Sequence, residues 1–186
     1  LGRNQDVDLD VCCSLAYVKG QDDFDMELLV APQINGETVY CSYLIVPTGS
    51  NANSLTALRG TTFGFTDPMS NSGHLVPTLE LGRLGATPVD FFGQHLYTYS
   101  HDNSIIAVAD GLLDGAAVDS LVYDQLVKME ADLAAKTKII TRWGPYGIPP
   151  VVINPGAPAE LKLQLRDIFL NMHLEAGGRD ILVTLD

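Results

Sequence analysis

Two hydrophobic periods alternate along the chain. Short runs rich in β-branched and aromatic residues end in polar turns, and stretches with apolar residues every three or four positions follow them. This alternation predicts an α/β fold with a largely parallel sheet. Residues 7–11 and 27–30 read as short strands, and residues 38–46 (TVYCSYLIV) as a long one. A polar loop at 47–54 leads to one helical turn at 54–58 and a strand at 61–66 (TTFGFT). A strand–turn–helix unit then recurs. TTFGFT runs into Asp67-Pro68-Met69-Ser70-Asn71-Ser72-Gly73 and a helix over 74–84. The strand at 95–99 runs into Ser100-His101-Asp102-Asn103-Ser104 and a helix to about 110, and the strand at 115–118 runs through Asp119-Ser120 into a helix to about 135. A strand at 138–143, a rigid kinked crossing at 144–150, a strand at 151–153 and a helix over 159–173 complete the pattern, with Pro158 placed at the last helix's start. In that helix Leu161, Leu165, Ile168, Phe169 and Met172 fall near helical spacing.

This order of elements divides the chain. Residues 47–142 form a self-contained α/β lobe, and residues 1–46 and 143–186 have to pair into a second. The strands at 38–46 and 138–153 then serve as hinge crossings of a two-lobed clamp.

Composition narrows the class. In 186 residues, 46% are hydrophobic and 18% charged, the balance of a folded chain. The net charge is −12, with no basic footprint for nucleic acid. No apolar run approaches the ~20 residues that span a bilayer. The start, Leu1-Gly2-Arg3-Asn4-Gln5-Asp6, lacks a Met and the basic and apolar regions of a signal peptide. A processed chain or a fragment is expected. Three cysteines, Cys12, Cys13 and Cys41, are too few for a disulfide framework. They read as small buried hydrophobes, with a bridge from Cys12 or Cys13 to Cys41 as the alternative.

In an open parallel sheet, ligands sit beyond the carboxyl ends of the strands. Three such ends carry polar residues just before a helix: Ser70-Asn71-Ser72, Ser100-His101-Asp102 and Asp119-Ser120. Helix starts present unpaired N–H groups and partial positive charge, which suit a small oxyanion. Any one of these turns is also an ordinary helix cap. Ser70-Asn71-Ser72-Gly73 exceeds what a cap needs, because three short hydrogen-bonding residues precede a glycine that lets the backbone approach a ligand. No Gly-Lys-Ser/Thr follows, so it is not a nucleotide P-loop. His74, His95, His101 and His173 lack metal-ligand spacing, and no cysteine pair has zinc-site spacing. No metal, cofactor or catalytic nucleophile is expected.

Several of these stretches together resemble one family. Asp67-Pro68-Met69-Ser70-Asn71-Ser72-Gly73-His74-Leu75-Val76-Pro77 is similar to the D-P-x-S-T-S-G-[YFH]-L-V-P signature of phosphonate/phosphite substrate-binding proteins of ABC importers. Ser100-His101-Asp102 and the stretches 107–111 and 114–120 resemble that family's next block. Tyr40-Cys41-Ser42-Tyr43-Leu44-Ile45-Val46 resembles its hinge strand, and residues 7–18 its V-D-x-x-x-x-G-P-x-A-Y segment.

The resemblance implies a type II periplasmic-binding-protein fold, two α/β lobes joined by hinge strands. One lobe would be incomplete at the front, and the chain would continue past a last strand at 181–183. It implies an extracytoplasmic protein, periplasmic and either soluble or lipid-anchored. Such a protein captures phosphonate, phosphite or phosphate in an interlobe cleft and delivers it to a membrane permease. It carries over oxyanion contacts to Ser70, Asn71 and His101, a hinge tyrosine to Tyr40 and a loop-completing residue to Ser72. Asp119 is placed to accept from a protonated ligand oxygen, or to act as a plain cap.

Four departures bear on the ligand. Asn71 replaces Thr, and Cys13-Ser14 replaces Gly-Pro. Leu121 stands where aminoethylphosphonate binders offer a carboxylate, and Gly147-Ile148-Pro149-Pro150 lacks an Asp that some members carry. A ligand-sensing domain of the same fold is the alternative reading, and a hydrolase with His101 as base is a third. The exposed apolar surface of a partial lobe adds an expectation of self-association.

Overall fold

The computed structural model describes residues 8–185. Val7, expected in the first strand, lies outside the described residues. The chain forms two compact units, one of residues up to Val39 and from Gly147 onward, the other of Tyr40–Tyr146. It passes between them twice, within β3 (Val39–Pro47) and at the end of β7 (Thr137–Gly147), which are neighbours in one sheet. Residues 40–46 and 143–146 therefore pack with the second unit, where the sequence reading had set them in the first. The reason is core burial: Leu44 and Val46 lie in that unit's core, with Trp143 packed against it.

The second unit is built on a five-stranded sheet in the order β5-β4-β6-β3-β7, with β4 at Thr62–Phe65, β5 at Gln94–Tyr97 and β6 at Gly115–Asp119. β4 runs parallel to both β5 and β6. β3 is antiparallel to β6, with Ser42 opposite Asp119 and Ile45 opposite Ala116. The sheet is thus mixed: the parallel set is β4, β5 and β6, and β3 enters from the other unit against their direction.

Both faces are covered, which explains the near-continuous apolar reading of β3. Successive side chains point to opposite faces. Leu44 and Val46 join Phe63, Phe65, Leu81, Phe91 and Phe92 on one side, while Tyr43 and Ile45 join Ile105, Val108, Val118 and Tyr123 on the other. Helix α2 (Val76–Arg83) and the short α3 (Pro88–Phe91) contribute to the first core. α4 (His101–Ala109), α5 (Ser120–Met129) and α6 (Ala131–Lys136) contribute to the second.

The first unit holds a three-stranded sheet, β1 (Leu9–Val11), β8 (Val151–Ile153) and β2 (Glu27–Val30), with β8 in the middle and antiparallel to both neighbours. Helix α1 (Ser14–Phe24) follows Cys13, so the Cys13-Ser14 pair stands at a helix start. Helix α7 (Ala159–Asn171) packs Leu165 and Phe169 on the Leu29–Val30–Ile153 cluster and buries none of its residues fully. The expected inward stripe is therefore narrower, and Ile168 is exposed.

Other differences are local. Residues 181–183, expected as a strand, lie inside helix α8 (Ala176–Leu185), because the apolar run is too short to separate the two periods. The helix expected over 120–135 breaks at Glu130, where the backbone leaves helical geometry at φ −124°, ψ 89°. The crossing expected at 144–150 is strand as far as Gly147, with a cis peptide at Gly144–Pro145. α4 begins at His101, a turn earlier than the pattern suggested, because Ser100 caps it.

Phe63 stacks on Phe92 with ring centroids 4.3 Å apart and an 8° interplanar angle, and it has no exposed surface. Phe63→Ala is expected to cost about 3–5 kcal/mol. A lower urea midpoint at unchanged slope measures it.

Candidate oxyanion-binding site

Because β4, β5 and β6 are parallel neighbours, their carboxyl ends lie on one edge of the sheet. Each delivers the start of a helix there. After β4, Asp67 shapes the turn: its Oδ1 accepts from Met69 N at 2.7 Å and its carbonyl from Ser70 N at 2.9 Å. Ser70 Oγ then caps the next helix by accepting from Gly73 N at 2.9 Å. The first turn is a π turn, Asn71–Leu75, with Leu75 N donating to Ser70 O at 3.1 Å, and it runs directly into α2. Only glycine fits at position 73, where a Cβ would stand 1.8 Å from Thr66 Oγ1. After β5, Ser100 Oγ caps α4 by accepting from Asn103 N at 3.2 Å. After β6, Asp119 Oδ1 caps α5 by accepting from Leu121 N at 2.8 Å.

The six residues singled out from the sequence, Tyr40, Ser70, Asn71, Ser72, His101 and Asp119, all belong to the second unit. Two direct pairs form among them. Asn71 Nδ2 donates to Tyr40 Oη at 3.0 Å, so the substitution of Asn for Thr ties the loop to β3. Asp119 N donates to His101 Nδ1 at 3.0 Å, joining the starts of α4 and α5. The loop and the end of β6 meet through Ser42, which is opposite Asp119 in the sheet and donates from Oγ to Ser72 O at 2.7 Å. Ser120 Oγ accepts from Cys41 N at 2.9 Å and fixes the same end of β3. Ser42 was not singled out as a site residue in advance, and Ser120 was named only as part of the Asp119-Ser120 helix start. The signal for Ser42 was present all the same, as the one serine in a strand otherwise of aliphatic, aromatic and cysteine residues.

The bond to His101 decides what the ring can do. With Nδ1 accepting a backbone N–H, the proton of the neutral imidazole resides on Nε2, which becomes a donor. Burial pushes its pKa down to about 4, against a smaller opposing effect of Asp102, so the ring is neutral at ordinary pH. Burial pushes the Asp119 carboxyl up to about 6, partly offset by the N–H groups of Leu121 and Val122. None of the six residues is a cation at neutral pH. The edge therefore offers hydroxyl, amide and imidazole donors beside three helix N-termini, a set suited to a small anion. Among the described residues no three His, Cys, Asp or Glu side chains gather as a metal site.

A family model described as "ABC transporter, phosphonate, periplasmic substrate-binding protein" matches residues 1–186. The chain belongs to this family. Among solved structures it is similar to the binding-protein component of an ABC phosphonate transporter from Pseudomonas aeruginosa, at 28% identity and a TM-score of 0.91. That match covers 98% of this chain and 62% of the Pseudomonas chain, so the sequence spans less than two thirds of that relative. PhnD1 from Prochlorococcus marinus, solved with methylphosphonate, matches at 21% identity and a TM-score of 0.85, over 97% of this chain and 70% of its own. The aliphatic sulphonate binding protein SsuA from Escherichia coli matches at 15% identity and a TM-score of 0.58, over 96% of this chain and 54% of its own. The last two share the fold, which is that of the type II periplasmic binding proteins.

The buried pair makes stability depend on pH in two opposed ways. Between pH 4 and 6.5 native His101 holds fewer protons than the unfolded chain, so its contribution grows as pH rises. Native Asp119 holds more protons than the unfolded chain, so its contribution is full below 3.8 and is lost as pH rises through about 6. Asp119→Asn keeps a capping oxygen and removes the second slope. Relative to wild type, the variant is expected to gain about 2–3 kcal/mol on going from pH 4 to pH 7. Paired urea titrations at the two pH values check this.

Proposed function

We propose that this chain is the ligand-capturing part of an extracytoplasmic solute-binding protein that serves an ABC importer. Its ligand is a small phosphorus oxyanion, that is, a phosphonate, phosphite or phosphate. Ser70, Asn71, Ser72 and His101 supply donors to the anion. Tyr40 orients Asn71, and Asp119 accepts from a protonated ligand oxygen. The observation that carries this reading is the Asp119 N–His101 Nδ1 bond at 3.0 Å, which turns His101 Nε2 into a donor at the edge where three helices begin. Family membership and the methylphosphonate complex of PhnD1 support it.

Recognition by directed neutral donors suits a chain of net charge −12, since charge-assisted hydrogen bonds to an ionised acceptor are strong without a full cation. Leu121, in the first turn of α5, offers no carboxylate, so an amine-bearing ligand gains nothing there. In an importer the loaded protein passes its ligand to a permease in the membrane. No helix among the described residues is long and apolar enough to cross one.

The test is a thermal-shift screen against methylphosphonate, phosphite, phosphate and aminoethylphosphonate. A ligand at a hundred times its Kd adds ~2.7 kcal/mol, a rise of roughly 5–10 °C for a chain of this size. The expected result is a shift with one or more of the first three and none with the amine-bearing anion. Ser70→Ala is expected to weaken binding by about 1.5–3 kcal/mol. Flat curves for all four anions, or unchanged affinity in the variant, would count against the site.

A further inference from the structure

Thr66 follows β4 directly and lies beneath the Ser70–Gly73 turn. Its N–H donates to Gly73 O at 3.2 Å and its carbonyl accepts from Tyr99 N at 2.7 Å, so its backbone ties the first turn before α2 to the approach to α4. The residue is 1% exposed, and Oγ1 has no hydrogen-bond partner among the described residues. A buried hydroxyl left unpaired lowers stability and calls for a reason. Valine has nearly the same shape and would fill the place without that cost. The hydroxyl also sits where it constrains the loop: it rules out any side chain at position 73, where a Cβ would approach it to 1.8 Å.

The turn above it is the wide π turn, 71–75, a rare form that occurs mostly as single turns and is frequent at functional sites. An anion at this helix start would attract the N–H groups of the first turn and pull on the turn relative to the end of β4. A group that is bonded in only one of two arrangements favours that arrangement by the free energy of the bond. We infer that Thr66 is a positioning residue of the oxyanion-binding turn, its hydroxyl gaining a hydrogen bond to the turn's backbone when an anion binds. The inference rests on the oxyanion reading of this site and adds to it a residue that the anion does not touch.

The test compares wild type, Thr66→Val and Thr66→Ser in the 186-residue chain. Unfolding is followed without anion, and methylphosphonate binding by calorimetry, with phosphite and phosphate alongside. Thr66→Val is expected to melt a few degrees higher than wild type and to bind about 5–20-fold more weakly. Thr66→Ser, which keeps the hydroxyl, is expected to bind within about twofold of wild type. The combination of higher stability and weaker binding is one that a merely structural hydroxyl would not produce. Equal affinity in Thr66→Val, a lower melting temperature for it, or an equal loss in Thr66→Ser would each overturn the inference while leaving the oxyanion site standing. If wild type binds none of the three anions, the oxyanion reading fails and the inference with it.

Discussion

The hydrogen bond from the backbone N–H of Asp119 to His101 Nδ1 is the contact on which the chemistry of this edge depends. It assigns the imidazole proton, and it does so with a group that cannot titrate away. The bond needs the start of α4 and the end of β6 within 3.0 Å, although β5, which precedes α4, is separated from β6 by β4. Two features of the core bring them together. α4 lies against β6 through Ile105 and Val108, and β6 presents only Gly115, Ala116, Ala117 and Val118 before Asp119. On the face toward α4 the strand carries Ala116 and Val118, and the small Ala116 lets the helix approach closely. Sheet order and side-chain size thus select a tautomer.

Capping and anchoring from outside the helix are divided among neighbours. Ser70, Ser100 and Asp119 each spend a side-chain oxygen on their own helix. Asn71, Ser72 and His101, the residues next in line, are held from outside their helices by Tyr40, Ser42 and Asp119. Every one of those outside partners lies on β3 or β6. The antiparallel β3–β6 pair therefore serves as a common frame for three helix starts, which explains why a buried serine persists at position 42 with no exposed surface.

Much of this was legible from residue pattern. The strands at 27–30 and 151–153 follow from short runs of Leu, Val and Ile, and the turns after β4, β5 and β6 from the Ser, Asn and Asp residues at those strand ends. The helix at 14–24 escaped because SLAYVKGQDDF has a weak apolar face and packs little of it. The strand expected at 181–183 failed because Ile-Leu-Val is as compatible with a helix as with a strand over three residues. At the site, Ser70, Asn71, Ser72, His101 and Asp119 could be picked out from strand ends, since turn chemistry is local, whereas Tyr40 came only from the family resemblance. The pairings could not, because Asn71 with Tyr40 and Asp119 with His101 are separated by 31 and 18 positions. Long-range register decides which donor meets which acceptor, and no local signal carries it.

The π turn has a consequence for how such a site can change. A π turn holds one residue more per turn than the α-helix that follows it, so residues before and after it differ in rotational phase by about 100° from a continuous α-helix. α2 packs Leu81 into the core and keeps Val76 and Pro77 buried, and those positions fix its rotation about its own axis. The extra residue at 71–75 sets the orientation of the buried Ser70, Asn71 and Ser72 independently of that anchoring. Loss or gain of a single residue in the turn would re-aim Ser70, Asn71 and Ser72 while leaving the helix seated as before.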